Sequence, residues 1–181
     1  AATWQEKFDD GTGGASPYHR EGERTALSPG NGVLRAVLPG KRALEGARVV
    51  ATGLEGARLT TATVRVRGKG EAWLCLLDGP SWIYAPKTVA LTDDWQEIAL
   101  RRTLRREATS LGVYLLSKDV QPGAVFEIDA VWVEQAAQPP SADVSVPPVR
   151  FEAEDAAPRP SEILEHEGTK GVGGASYARC G

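Results

Sequence analysis

Apolar residues recur at every second position through most of this chain, and that period limits what it can fold into more than any other feature. In residues 59–67, Ala62, Val64 and Val66 fall on one side of an extended backbone and Thr61, Thr63, Arg65 and Arg67 on the other, the pattern of a half-buried strand. Residues 71–77 repeat the pattern after Lys69 and Gly70, so the two segments read as a hairpin. Similar runs follow at residues 32–38, 48–51, 88–91, 95–100, 110–116 and 125–133. No segment carries the 3.6-residue period of an amphipathic helix. Many strands punctuated by Gly, Pro and Asp-Asp turns predict an all-β sandwich over residues 1–136.

Charge and residue usage narrow the function classes. Lys and Arg number 21 against 24 Asp and Glu, and this net charge of −3 argues against a nucleic-acid partner. No stretch approaches the run of about 20 apolar residues that crosses a bilayer, so no membrane span is expected. His19 and His166 are the only imidazoles, which excludes a histidine-cluster zinc site. Cys75, inside the run Trp73-Leu74-Cys75-Leu76-Leu77, reads as a small buried hydrophobe, and with Cys180 it specifies no disulfide framework. The basic run Arg101-Arg102-Thr103-Leu104-Arg105-Arg106 reads as a strand edge blunted by charge. The glycine-rich stretches at 11–16 and 171–176 open no βαβ unit and read as turns, and no Gly-x-Ser-x-Gly nucleophile elbow is present. No enzymatic activity is expected of this chain.

Composition shifts after Glu134. Residues 135–148 carry Pro139, Pro140, Pro147 and Pro148 with almost no large apolar residue, the composition of a semi-rigid linker. The chain therefore divides into a module over residues 1–136, a linker over 137–148 and a segment over 149–181. Cutting after Glu134 is expected to leave the module's stability almost unchanged. The last segment is shorter than the roughly 40 residues below which a chain needs outside help to fold, so it reads as the incomplete opening of a second module.

The strand sequences carry a family likeness. Trp4-Gln5-Glu6-Lys7-Phe8-Asp9-Asp10-Gly11 near the start is one motif. Thr92-Asp93-Asp94-Trp95-Gln96-Glu97-Ile98 and Ser110-Leu111-Gly112-Val113-Tyr114-Leu115 are the next two, and Gly123-Ala124-Val125-Phe126-Glu127-Ile128-Asp129-Ala130-Val131 is the fourth. Together they resemble carbohydrate-binding modules of the family four, nine and twenty-two type. The resemblance implies a β-jelly roll with a galactose-binding-domain-like core that holds a polysaccharide. Val149-Arg150-Phe151-Glu152-Ala153-Glu154-Asp155-Ala156, with Gly171-Val172-Gly173-Gly174-Ala175-Ser176-Tyr177 after it, resembles the start of modules of families six and thirty-five. Tandem modules of this kind imply a secreted or cell-surface bacterial polysaccharide-processing protein, tethered to further domains.

A sugar-binding face needs flat aromatic rings beside polar partners. The alternation assigns Ala72, Leu74 and Leu76 to the core and Trp73 to the opposite face, and it treats Tyr114 likewise against Leu111, Val113 and Leu115. The loop over residues 78–84 adds Trp82 and Tyr84, so Trp73, Trp82, Tyr84 and Tyr114 are the candidate polysaccharide contacts. The alternative is that a loop covers this face, making the rings a satellite core of a structural jelly roll that packs on a neighbouring domain and binds no sugar. Trp95 and Trp132 are expected to pack structurally. By resemblance, a structural calcium is expected between the terminal strands at Asp9 and Asp129, since calcium takes 6–8 oxygens; a solvated pair of carboxylates is the alternative. Glu152 and Glu154 share a strand face about 6–7 Å apart, and in the resembling families such positions also hold calcium. Side by side they point in parallel and do not flank a glycosidic bond as catalytic acids do.

Overall fold

In the computed structural model, which describes residues 3–18 and 23–137, the described residues form twelve strands. These are β1 (Trp4–Lys7), β2 (Ser16–Tyr18), β3 (Ala26–Gly30), β4 (Val33–Val37), β5 (Gly46–Thr52) and β6 (Leu59–Lys69). The rest are β7 (Glu71–Asp78), β8 (Ser81–Tyr84), β9 (Val89–Ala90), β10 (Gln96–Thr103), β11 (Ser110–Leu116) and β12 (Val125–Gln135). They pair antiparallel into two six-stranded sheets: sheet I in the order β10-β6-β12-β4-β3 with β1 beside β12, and sheet II in the order β2-β5-β11-β7-β8 with β9 beside β7. The architecture is the expected all-β sandwich of jelly-roll type.

The facing sides of the sheets are apolar by period two. Leu34 and Ala36 of β4, Val64 and Val66 of β6 and Phe126 and Ile128 of β12 meet Val49 of β5, Leu74 and Leu76 of β7 and Leu111, Val113 and Leu115 of β11 in one core. Each such Leu, Val or Phe contributes ~1.5–3 kcal/mol by leaving water. The core residues Ile128 and Val131 lie three apart, a break in the alternation. A β-bulge between Ile128 and Ala130 absorbs the extra residue, so that Phe126 and Ile128 before it and Val131 and Val133 after it all face inward.

One sequence expectation is corrected here. Residues 59–69 and 71–78 are not a hairpin. β6 pairs with β10 and β12 in sheet I, whereas β7 pairs with β11, β8 and β9 in sheet II. Gly70 alone carries the chain between the sheets, at φ +101°, where a Cβ would sit 2.6 Å from Gln121 Oε1. Residues 81–84, expected as part of a loop, form β8, joined to β7 across Gly79 and Pro80. β2 and β3 also escape the alternation; each is a short edge strand containing a proline, where no ladder N–H is needed. β10 is an edge strand as well, in keeping with the charged-edge reading of Arg101 and Arg102.

β12 spans 11 residues and has β6 along one side. Along its other side lie β4, opposite residues 125–128, and then β1, opposite residues 130–133. First and last strands are thus neighbours. Thr3 N–H donates to the Val133 carbonyl at 2.8 Å, and Gln135 N–H donates to Thr3 Oγ1 at 3.1 Å. The Gln135 side chain donates to the Glu55 carbonyl at 2.8 Å and accepts the Glu55 N–H at 2.9 Å, while Ala136 N–H donates to the Leu59 carbonyl at 2.9 Å. A cut after Glu134 removes the bonds made by Gln135 and Ala136. It is expected to cost about 1–3 kcal/mol at ~1 kcal/mol per net bond, whereas a cut after Ala137 is expected to leave the denaturation midpoint unchanged. Chemical unfolding of the two truncated chains checks both. Glu152, Glu154, most of the linker and all of the last segment lie outside the described residues.

Candidate functional site

The outward side of sheet II is paved with rings, and strand register explains their arrangement. Residues on one face line up in rows across the strands. Ser16, Arg48, Tyr114, Cys75 and Tyr84 form the central row. Tyr18, Gly46, Leu116 and Trp73 flank it on one side, and Val50, Gly112, Leu77 and Trp82 on the other. Tyr84 stacks on Trp73 at 4.8 Å between ring centroids and 14° between planes. Its other side faces Trp82 at 6.0 Å and 6°. Three near-parallel rings thus stand over β7 and β8, and Tyr84 is 49% exposed. The Trp73 indole N–H donates to the Ala85 carbonyl at 2.8 Å, which fixes one end of the stack.

Trp73, Trp82, Tyr84 and Tyr114 therefore do share one face, and the expected orientation of Trp73 and Tyr114 away from the core holds. The expected role of Tyr114 as a groove-lining contact is corrected by its depth: it is 2% exposed. Two rings lie against it, and Leu44 of the loop before β5 packs on the same buried cluster. Trp82 sits 4.7 Å from Tyr114, and Tyr18 meets it edge-on at 5.2 Å. Its ring leans across Gly112, where a Cβ would come within 2.7 Å of Tyr114 Cε2 and 3.3 Å of Leu77 Cβ. Tyr114 is the floor on which the accessible rings stand. Cys75 is fully buried against it, as the sequence predicts, and burial pushes the thiol up to about 12, so it stays protonated and unreactive.

Two further residues of this face carry no signal in the alternation. Tyr18 lies in a three-residue strand too short to show a period. Arg48 looks like any outward strand residue, but its Nε donates to Ser16 Oγ at 2.9 Å and its Nη1 donates to Tyr114 Oη at 3.5 Å, which places a guanidinium against the rings.

The outward side of sheet I differs in character, because three of its arginines pair with carboxylates. Arg35 and Arg67 both reach Glu127, at 3.3 and 2.7 Å, and Arg65 reaches Asp129 at 3.4 Å. Trp95, expected to pack structurally, is half-buried here beneath the guanidinium groups of Arg67 and Arg65, at 4.5 and 5.6 Å from its ring centroid. Trp132 also faces outward, since Val131 and Val133 take the inward positions of β12. Asp9 and Asp129 do come to one hollow, which Lys7, Arg65, Glu97 and Trp132 also line. Asp129 already faces a guanidinium, and among the described residues no group of three or more His, Cys, Asp or Glu is placed to hold a metal.

No protein-family model matches the chain, and no curated protein matches it in sequence. Solved structures do. The xylan-binding CBM22-1 domain of Paenibacillus barcinonensis Xyn10C superposes with a TM-score of 0.58 at 13% identity, over 77% of this chain and 97% of that one. The C-terminal family 22 carbohydrate-binding module of Clostridium thermocellum Xyn10B gives a TM-score of 0.53 at 19% identity, over 75% and 95%. A family 4 module gives 0.52 at 19%, over 71% and 99%. At these identities the likeness is one of fold: the described residues have the fold of carbohydrate-binding modules of families 4 and 22.

Proposed function

We propose that the module is a non-catalytic carbohydrate-binding module that holds a polysaccharide on the outward side of sheet II. The observation that carries this reading is the stack of Trp73, Tyr84 and Trp82, kept near-parallel by strand register with Tyr84 half open to water. A flat exposed ring beside hydroxyl and guanidinium groups is what the apolar face and the hydroxyls of a sugar ring require together. Tyr84, Trp82 and Tyr18 make the contacts in this reading, and Tyr114 and Trp73 hold them in place. The fold likeness to sugar-binding modules supports it. The wider setting, a secreted or surface polysaccharide-processing protein in which residues 149–181 open a second module, is part of the same proposal and is supported by the sequence resemblance.

Affinity electrophoresis of the full chain through gels containing soluble xylans, β-glucans, mannans and pectins tests the reading. Retardation by at least one polymer is expected. Tyr84→Ala and Trp82→Ala are each expected to weaken it about tenfold or more, the size of effect seen when a central aromatic anchor is removed. Unretarded migration in every gel would leave the rings as a packing surface for a neighbouring domain.

A further inference from the structure

Arginines on the inner strands of the two outward faces are treated differently. On sheet I, Arg35, Arg65 and Arg67 each face a carboxylate. On sheet II, Arg48 is exposed and bonded only to the neutral hydroxyls of Ser16 and Tyr114, and among the described residues no carboxylate pairs with it. Those two bonds hold the guanidinium in place and use Nε and one N–H of Nη1. A guanidinium has five N–H donors, so donors remain on both terminal nitrogens, the fork that matches a carboxylate. A second cation approaches from the segment after β11, where Lys118 Nζ lies 5.5 Å from the Trp73 ring centroid. The strands that bear Arg48 and Trp73 are two interstrand spacings apart, about 10 Å. The carboxylate on this side of β7, Glu71, lies two residues beyond Trp73 and accepts a bond from Thr88 Oγ1 at 3.3 Å. The ring stack is therefore flanked by two positive charges that, among the described residues, no carboxylate pairs with.

We infer that the polysaccharide is an acidic one, and that Arg48 receives the carboxylate of a uronic acid while the neighbouring rings take sugar faces. This rests on the sugar-binding reading above and adds the chemical class of the ligand. A neutral glycan satisfies rings and hydroxyls but leaves both cations unused; a uronate places its negative charge against a guanidinium already fixed by Ser16 and Tyr114. Lys118, a compact charge on a flexible stem, adds attraction without fixing geometry.

The test compares glucuronoxylan, polygalacturonate and alginate with their carboxyl-reduced, neutral counterparts, by calorimetry or affinity electrophoresis on the full chain at low salt. At least one acidic polymer is expected to bind about tenfold more tightly than its reduced form, in line with one charge-assisted hydrogen-bonded contact. Raising the salt is expected to narrow that ratio by screening. Arg48→Gln, verified as folded by an unchanged unfolding midpoint, is expected to bring the ratio to within about twofold. Arg102→Gln, on the edge strand of the other sheet, is expected to leave it in place. Equal binding of acidic and reduced polymers overturns this inference while the sugar-binding reading stands. Failure to bind any polymer of either kind overturns both. An acidic preference that survives Arg48→Gln also overturns it, and a fall in Arg102→Gln would then trace the preference to diffuse charge.

Discussion

Truncation of Phe126 to alanine is expected to destabilise the module by about 3–5 kcal/mol, the cost of deleting a fully buried ring whose space is not refilled. Register explains why the space stays empty. Phe126 lies across from Ala36 on β4 and Gly68 on β6, so its ring fills a gap that its two cross-strand neighbours are too small to close. It is fully buried in the core between the sheets. Phe126→Leu keeps most of the volume and is expected to cost less than half as much. Urea unfolding measures both, with a lowered midpoint at an unchanged slope as the expected result. A loss under about 1 kcal/mol for alanine would mean that the sheets close over the gap.

Asp78→Ala is the second large effect. The carboxylate is fully buried at the end of β7, where it accepts the Arg105 backbone N–H at 2.7 Å and Arg105 Nε at 3.2 Å. Arg105 also pairs with Glu107, and its side chain is 32% exposed. Removing the carboxylate thus leaves a guanidinium that water can reach, and the expected cost is about 2–3 kcal/mol rather than the 3–5 kcal/mol of a wholly buried pair. Arg105→Ala strands the buried carboxylate instead and is expected to cost at least as much, partly offset by the backbone bond that remains. Asp78 ends the strand just before the turn into β8, so its loss is expected also to loosen Trp82 and Tyr84. Tryptophan emission in Asp78→Ala, recorded under folding conditions, should report that loosening separately from global unfolding.

Legibility in the sequence follows what each signal physically encodes. Period two records which side of a strand a residue occupies, so the faces of Val64, Leu74, Trp73 and Tyr114 are readable from the alternation alone. It does not record the strand's partner. A turn between two strands of one sheet and a crossing between two sheets both need a permissive residue at Gly70, and the flanking alternation is the same in either case. The edge strands β2, β3 and β8 are brief and contain Pro, Gly or Ser, so they give no periodic signal, and Tyr18 is lost to view along with β2. Depth on a face is a further blind spot. Tyr114 and Tyr84 belong to the same row and the same side of the sheet, yet one is sealed and the other open, because neighbouring rings from other strands decide the matter. The jelly-roll likeness brings Asp9 and Asp129 together; it says nothing of Arg65, on the neighbouring strand, whose guanidinium reaches Asp129.

The meeting of Thr3 with Gln135 has a mechanical consequence. Chain enters and leaves the sandwich at hydrogen-bonded neighbours on adjacent antiparallel strands. A load applied through both ends therefore concentrates on the bonds nearest those ends and peels β1 from β12 in sequence, whereas a shearing geometry would load the whole ladder at once. The same closeness lets the module be grafted into a surface loop of another protein without stretching the host. A domain with this exit geometry behaves as a pendant hung from a single point of the backbone.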